Sequence, residues 1–291
     1  MLSVPAIAVD GIAASRKRIA PFSLFRPASV TEAVELLAVW PGAVLHAGGI
    51  DLANRMKAGL AAPAVIALDR IGEIKGVTRG RNGLDIGAVT THWQIEHDSV
   101  VRSWLPALAD YVASLGNVRV RLQGTIGGNV LAAEPGYEML ALLASLDAHL
   151  HFARKSDGTR YAIAARGFQP ALSAAGDILL TISIPLPAPQ LVWTREMRPN
   201  LGIVASLDSE GDLIRSGYGA VTGQSAVGSP LNITQPLSRQ QIGACARELA
   251  ESWVASIPFV DTPGAFDLIY MRHVTAVLMR RLLGRMTGVD R

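Results

Sequence analysis

The chain is poor in the residues from which several common kinds of site are built. Cys245 is its one cysteine. It excludes an internal disulfide, and also an iron–sulfur cluster held by this chain alone, because such clusters use about four cysteine ligands. The six histidines show no H-E-x-x-H or other metal-ligand spacing, although His149 and His151 share one face of a predicted strand. No G-x-S-x-G nucleophile motif occurs either. We therefore predict no metal site and no catalytic side chain.

Long apolar runs and strong charge are also missing. Mean hydropathy is +0.29, yet no run of about eighteen apolar residues is present, so no membrane span is predicted. The net charge of +3 is small, and the basic run Arg16-Lys17-Arg18 lacks interleaved aromatic residues. We therefore predict no nucleic-acid partner. This basic run follows the apolar start of the chain, which is the reverse of a secretory signal, so we predict a cytoplasmic protein.

Length and composition favour two domains. The chain has 291 residues, of which 49% are hydrophobic, enough for a large core. The clearest linker is Pro185-Leu186-Pro187-Ala188-Pro189, because proline cannot donate to a strand ladder and stiffens the path. We place the domain boundary there.

Local patterns predict a mixed succession of helices and strands. Ser29 and Glu32 form a capping-box pattern before an apolar helical stripe, and Thr91 is predicted to cap a later helix. Strands are predicted at 44–45, 65–68, 84–88, 149–152, 178–185, 191–196, 203–207 and 214–221, and helices at 52–56, 93–97, 105–115, 139–146, 239–254 and 265–285.

Two glycine pairs are the strongest functional signal. Gly48-Gly49 lies in the segment 45–52, and Gly127-Gly128 in the segment 123–129. We interpret both as turns, where glycine lets the backbone approach a ligand and several amides form an anion nest. Thr125 and Asn129 add side-chain donors, so the two loops could clamp one diphosphate. Neither loop matches GxGxxG or the P-loop, and ordinary turns are the alternative.

These segments resemble a known family. Residues 47–52 followed by Met56-Lys57, and the string N-x-x-V-R-x-x-G-T-I-G-G-N at 117–129, resemble the FAD-binding medium subunit of molybdenum hydroxylases, the carbon monoxide dehydrogenase and xanthine dehydrogenase superfamily. The resemblance runs from about Phe22 to Arg285 and includes the closing helix. It implies an α+β fold. Residues 1–188 would form a two-lobed FAD-binding domain of the vanillyl-alcohol-oxidase/PCMH type, with lobes at roughly 1–78 and 79–188. Residues 189–291 would form a C-terminal α+β domain with a three-stranded antiparallel sheet.

The resemblance also implies cofactor contacts by position. Either Arg195 or Arg198 would approach the flavin ring, Glu138 would accept from a cofactor hydroxyl, and Leu179 would pack on the cofactor. Ile50 departs from the frequent Thr or Ser, and Glu138 from the usual Asp. The diphosphate would lie between the segment Leu45, His46, Ala47, Gly48, Gly49, Ile50, Asp51 and Leu52 and the segment Gly124, Thr125, Gly127, Gly128 and Asn129, with Leu115 and Gly116 near the adenine and Leu131 and Ala132 toward the flavin.

The resemblance finally implies a function that depends on partners. FAD on this chain would take electrons from a small [2Fe-2S] subunit and pass them to oxygen, NAD or a quinone. A large subunit with the molybdenum cofactor would hydroxylate the substrate, which the sequence of this chain does not specify. The expected assembly is a dimer of heterotrimers. Two alternatives stay open: a stand-alone flavin reductase or oxidase of the same fold, and a flavin-free scaffold subunit.

Overall fold

A small parallel sheet carries the first glycine pair. The computed structural model describes residues 19–132, 134, 136–169, 176–196, 201–222, 227–259 and 267–287, so the basic run at 16–18 and Arg198 lie outside it. The central strand pairs in parallel with both of its neighbours and is buried along its whole length, as is usual for parallel sheets. The unit contains β1 (Ser23–Phe25), α1 (Val30–Val39), β2 (Val44–His46), α2 (Ile50–Lys57) and β3 (Ala64–Ala67), the central strand.

The start of α1 differs in one bond from the predicted capping box. The Ser29 hydroxyl accepts from the Glu32 backbone N–H at 3.1 Å, as predicted. The Glu32 carboxylate, however, accepts from the Ala28 N–H at 2.8 Å and not from that of Ser29. The first bond satisfies a donor that a helix start leaves open, and the second ties the residue before the N-cap to the first turn, so α1 is still fixed at its start.

A five-stranded antiparallel sheet follows, with helices inserted between its second and third strands in sequence. Its spatial order is β4-β5-β8-β6-β7. Leu108, Leu142, Phe152 and Ile182 are fully buried between this sheet and its helices. The elements are β4 (Val77–Arg79), β5 (Gly83–Gly87), α3 (His92–His97), α4 (Ser99–Trp104), α5 (Pro106–Ala113), α6 (Val118–Gln123), α7 (Ile126–Leu131), α8 (Met139–Ser145), β6 (His149–Ala153), β7 (Arg160–Ala164) and β8 (Ile178–Pro185).

The C-terminal sheet has five described strands, which corrects the three that were predicted. The three predicted strands are its long members, and the two additional strands are short. The predicted helix 239–254 is interrupted at Cys245, and within the described ranges no helix has both the length and the apolar character needed to cross a membrane. The elements are β9 (Gln190–Glu196), β10 (Leu201–Glu210), β11 (Leu213–Thr222), β12 (Val227–Pro230), β13 (Leu237–Ser238), α9 (Arg239–Ala244), α10 (Ala246–Ser256) and α11 (Leu268–Thr287).

Hydrophobic packing continues across the predicted linker. Leu191, Val204 and Tyr218 belong to the same buried cluster as Leu142 and Phe152. The C-terminal sheet is therefore packed directly on α8. The mixed helix and sheet content agrees with the predicted α+β class, while the domain boundary near residue 188 stays a prediction.

Candidate functional site

One large cleft lies where the small parallel sheet meets the second sheet and its helices. Its volume is about 740 Å³, within the range of roughly 300–1,000 Å³ that is typical of cofactor and ligand pockets. The β2–α2 loop, the start of α3 and the α6–α7 junction line it, together with the loops that flank β6 and β8. Both glycine pairs predicted from the sequence reach this cleft.

The first glycine pair joins β2 to α2 and leaves the start of that helix open. Gly49 is the N-cap residue with φ +76°, and no side chain caps the helix. The first N–H groups of a helix have no intrahelical partner, so an uncapped start offers donors and the positive end of the helix dipole. Gly48 touches the second segment, because a methyl group at this position would lie 1.9 Å from the Gln123 carbonyl oxygen. The two glycine segments are therefore in direct backbone contact.

The second glycine pair does not form the predicted turn. Gly127 and Gly128 lie in the first turn of α7, whose N-cap is Thr125. The Gly127 N–H donates to the Ala88 carbonyl at 2.9 Å, and the Gly128 N–H donates to the Thr125 hydroxyl oxygen at 3.1 Å. These amides are already used within the protein, so the expected anion nest is absent from the described second segment.

Side chains supply the donors that remain on this side of the cleft. Thr125 Oγ1 accepts from Gly128, which leaves its own hydroxyl hydrogen free to donate. Asn129 Oδ1 accepts from the Met139 N–H at 3.2 Å, which leaves its amide NH₂ as a donor. The second segment thus offers side-chain donors to the cleft.

Most of the predicted contact residues line the cleft, and some do not. Those that line it are Leu45, Ala47, Gly48, Gly49, Ile50, Asp51, Leu52, Gly124, Thr125, Gly127, Gly128, Asn129, Leu131, Ala132 and Leu179. Those that are not in its lining are His46, Leu115, Gly116, Glu138 and Arg195, and their contacts with the cofactor stay predictions.

Glu138 and Arg195 are satisfied by each other. Arg195 Nε lies 2.8 Å from Oε1 and 2.6 Å from Oε2 of Glu138, and Arg195 also donates to the Ser114 hydroxyl at 2.7 Å. The buried Tyr111 hydroxyl donates to Glu138 at 3.1 Å. Burial, and then the Glu138 carboxylate, raise the pKa of Tyr111 well above its usual value, so the phenol stays a donor. This network joins β9 to α5, and the expected places of Glu138 and Arg195 beside the cofactor stay predictions.

Several cleft residues were missed by the sequence analysis. Arg55 and Lys155 bring positive charge to the lining, where no basic cluster had been predicted. Arg55 lies 3.7 Å from the Asp51 carboxylate one helical turn away. Tyr137 and the buried His92 also line the cleft. No local pattern joins positions as distant in sequence as 55 and 155, so only the folded chain identifies them.

A second, smaller cleft lies on the face of the second sheet. Its volume is about 470 Å³, and His151, Ser183 and Asp85 are in its lining. The Ser183 hydroxyl lies 2.5 Å from Asp85 Oδ1 and 2.8 Å from His151 Nε2. Among the residues that the structure describes, no three His, Cys, Asp or Glu side chains are grouped to hold a metal ion. The sheet thus joins His151 to the Asp85 carboxylate through the Ser183 hydroxyl. The residues next to His151 in the sequence did not indicate this contact.

Comparison with known proteins establishes the family. Residues 20–187 match the family described as the FAD binding domain in molybdopterin dehydrogenase. This chain therefore belongs to that family, as the resemblance of its glycine-rich segments predicted.

Individual relatives agree with this assignment. Subunit beta of caffeine dehydrogenase from Pseudomonas sp. (strain CBB1) is 28% identical over 60% of this chain, and the match spans 61% of that relative's length. The carbon monoxide dehydrogenase medium chain of Afipia carboxidovorans is 27% identical over 91% of this chain and 96% of its own. The crystal structure of quinoline 2-oxidoreductase from Pseudomonas putida 86 has the same fold, with a TM-score of 0.79 at 22% identity, covering 94% of this chain and 100% of that chain.

Proposed function

We propose that this chain is the FAD-binding, electron-transfer subunit of a heteromeric molybdenum-containing hydroxylase or dehydrogenase, an oxidoreductase. The observation that carries the proposal is the convergence of an uncapped helix start and the Thr125 hydroxyl on one cofactor-sized cleft in a member of this family. The proposed fold of residues 1–188 is of the two-lobed vanillyl-alcohol-oxidase/PCMH type, with the C-terminal domain beginning near residue 189.

The donors of the cleft suit the diphosphate of a dinucleotide. The open start of α2 can accept an anion, because its first amides lack partners and the helix dipole is positive there. The Thr125 hydroxyl and the Asn129 amide donate from the opposite segment. Arg55 and Lys155 add positive charge to the lining. In this arrangement amides hold the diphosphate on one side and side chains hold it on the other.

The other cleft residues suit the remaining parts of FAD. Ile50, Leu131 and Leu179 give apolar walls that exclude water from a flat ring system. Asp51 is an acceptor beside the diphosphate donors, and we assign it to a hydroxyl of the cofactor, not to a phosphate. FAD, when bound, supplies the capacity to accept electrons one at a time and pass them on in pairs.

The proposed partners follow from what this chain lacks and from its relatives' names. With one cysteine it cannot by itself supply the ligands of an iron–sulfur cluster. We therefore place the [2Fe-2S] clusters on a small subunit and the molybdenum cofactor on a large one, in a dimer of heterotrimers in the cytoplasm. The relatives' names, subunit beta and medium chain, are in keeping with a multi-subunit enzyme.

Absorption spectroscopy of the purified chain tests the proposal. We expect the protein, incubated with FAD and freed of excess cofactor, to retain flavin in a ratio near one per chain. Native purification through a tag on this chain should recover a molybdenum-containing and an iron-containing polypeptide. A colourless chain that rejects FAD but recovers both partners would replace the proposal with the scaffold alternative. A lone flavoprotein with its own reductase or oxidase activity would replace it with the stand-alone alternative.

A further inference from the structure

His92 is a buried histidine in the wall of the large cleft. It is the first residue of α3 and is 2% exposed, yet it belongs to the cleft lining. Its backbone N–H donates to the Gly124 carbonyl at 2.9 Å, which fixes it beside the second glycine segment. Because Gly48 touches Gln123 at the same place, His92 lies where the two glycine segments meet.

The two edges of the His92 ring have different surroundings. Nδ1 is fully buried and has no hydrogen-bond partner among the described residues. The edge with Cδ2 and Nε2 faces Gly124, since a methyl group on Gly124 would lie 3.2 Å from Cδ2 and 3.6 Å from Nε2. Gly124 itself lines the cleft. Nε2, unlike Nδ1, is not among the fully buried atoms that lack a partner, so it is the ring nitrogen that a bound molecule can reach.

The ring is neutral near physiological pH. Burial lowers the pKa of His92 to about 4, and the nearby Arg121 guanidinium acts in the same direction. Arg121 is itself paired with Glu96 at 2.9 Å. A neutral imidazole carries one N–H, and a buried N–H without an acceptor is rarer in proteins than an unpaired acceptor. We therefore assign the proton to Nε2 and the lone pair to Nδ1.

We propose that the Nε2–H of His92 donates a hydrogen bond to the diphosphate of the bound dinucleotide. This inference rests on the proposed function, because it requires FAD in the large cleft. The open start of α2 and the Thr125 hydroxyl converge on the same region, and phosphate oxygens are the strongest acceptors that a dinucleotide offers to such donors. A neutral donor adds affinity there without placing a buried positive charge in the empty protein.

The experiment compares two replacements of His92 in the full-length chain. His92→Phe removes both ring nitrogens, whereas His92→Gln keeps an amide N–H near the position of Nε2. We expect the dissociation constant for FAD, measured by quenching of flavin fluorescence, to rise about tenfold or more for Phe and to stay within roughly threefold for Gln. ADP, which contains the diphosphate without the flavin, should show the same order of affinities.

Thermal unfolding without FAD separates binding from structure. Phe removes the unpartnered Nδ1, so the FAD-free variant should unfold at the same temperature as the parent or higher. His97→Phe, in the same helix but exposed and outside the cleft, is the matched control and should leave FAD affinity unchanged. If Phe prevents folding, the smaller His92→Leu takes its place in the comparison.

The possible outcomes are distinct. A parent chain that binds no FAD refutes the proposed function. FAD binding by the parent with an unchanged dissociation constant for His92→Phe or His92→Leu refutes only the role of His92. Weaker FAD binding with unchanged ADP binding assigns His92 to the flavin side and also overturns the proposal.

Discussion

Thr125 combines two roles, and one substitution removes both of them. Its hydroxyl oxygen caps α7 by accepting from Gly128, and its hydroxyl hydrogen is free to bind a ligand in the cleft. Thr125→Val keeps the branched shape but removes both interactions.

The expected magnitudes follow from these two interactions. Loss of a helix cap lowers the free energy of unfolding by about 0.5–2 kcal/mol. Loss of a hydrogen bond to a charged acceptor such as phosphate is worth about 1.5–3 kcal/mol, which corresponds to a dissociation constant for FAD roughly ten- to 150-fold higher. Titration with FAD by fluorescence quenching measures the second effect, and urea unfolding without FAD measures the first.

Thr91 provides the matched control. It caps α3 by accepting from Gln94 at 3.2 Å and forms a backbone bridge with Thr125, but it does not line the cleft. Thr91→Val should therefore show a similar loss of stability with unchanged FAD affinity. Equal dissociation constants for the two variants would show that the Thr125 hydroxyl does not bind the cofactor, and the assignment of the diphosphate to this side of the cleft would be wrong.

Three further substitutions or conditions test other parts of the structure. The pKa of the His92 imidazole is about 4 in the folded chain, whereas its ordinary value is 6.5. As the pH falls, the imidazole of the unfolded chain therefore takes up a proton before that of the folded chain does. The stability present above pH 6.5 should therefore fall toward pH 4 by up to roughly 3 kcal/mol; urea unfolding of His92→Phe over the same range should show a flatter profile. Gly48→Ala should separate the two glycine segments, because its methyl group meets the Gln123 carbonyl at 1.9 Å, so both melting temperature and FAD retention should fall. Gly219→Ala places a methyl group 2.6 Å from Trp253 in the C-terminal sheet; it should cost about 1–3 kcal/mol in urea unfolding and leave the affinity for FAD unchanged.

Predictions from the sequence were accurate for helix starts and strands that depend on residues close together in the chain. Thr91 and Gln94 form a complete capping box three residues apart, and the start of α3 falls within one residue of its prediction. The long strand β8 was predicted with its observed bounds, because an apolar run ended by proline is a local signal. Such features can be predicted without knowing which residues pack against them.

The second glycine pair shows where local reasoning fails. Glycine costs about 1 kcal/mol relative to alanine inside a helix, so a turn was the natural interpretation of Gly127-Gly128. The structure gives another reason for glycine: a methyl group on Gly127 would lie 2.8 Å from the Ala88 carbonyl oxygen. That contact joins α7 to the segment after β5, and the sequence around Gly127 does not predict it.

The remaining differences have similar causes. Strands β12 and β13 are short, and β12 contains Gly228 and ends at Pro230, so neither has the pattern of a strand. The pair of Glu138 and Arg195 joins residues far apart in sequence, and neither side chain indicates its partner by position. Individual contacts between distant segments therefore had to come from the structure.

The contact between Gly48 and Gln123 has a consequence for engineering. The two backbones meet with no room for even one extra carbon atom, so the separation between the β2–α2 loop and the α6–α7 junction is set by both segments together. A chimaera that takes only one of the two segments from a homologue would bring together segments whose contact surfaces do not match. Exchanging 45–52 and 117–129 as a pair is the design that keeps the junction intact.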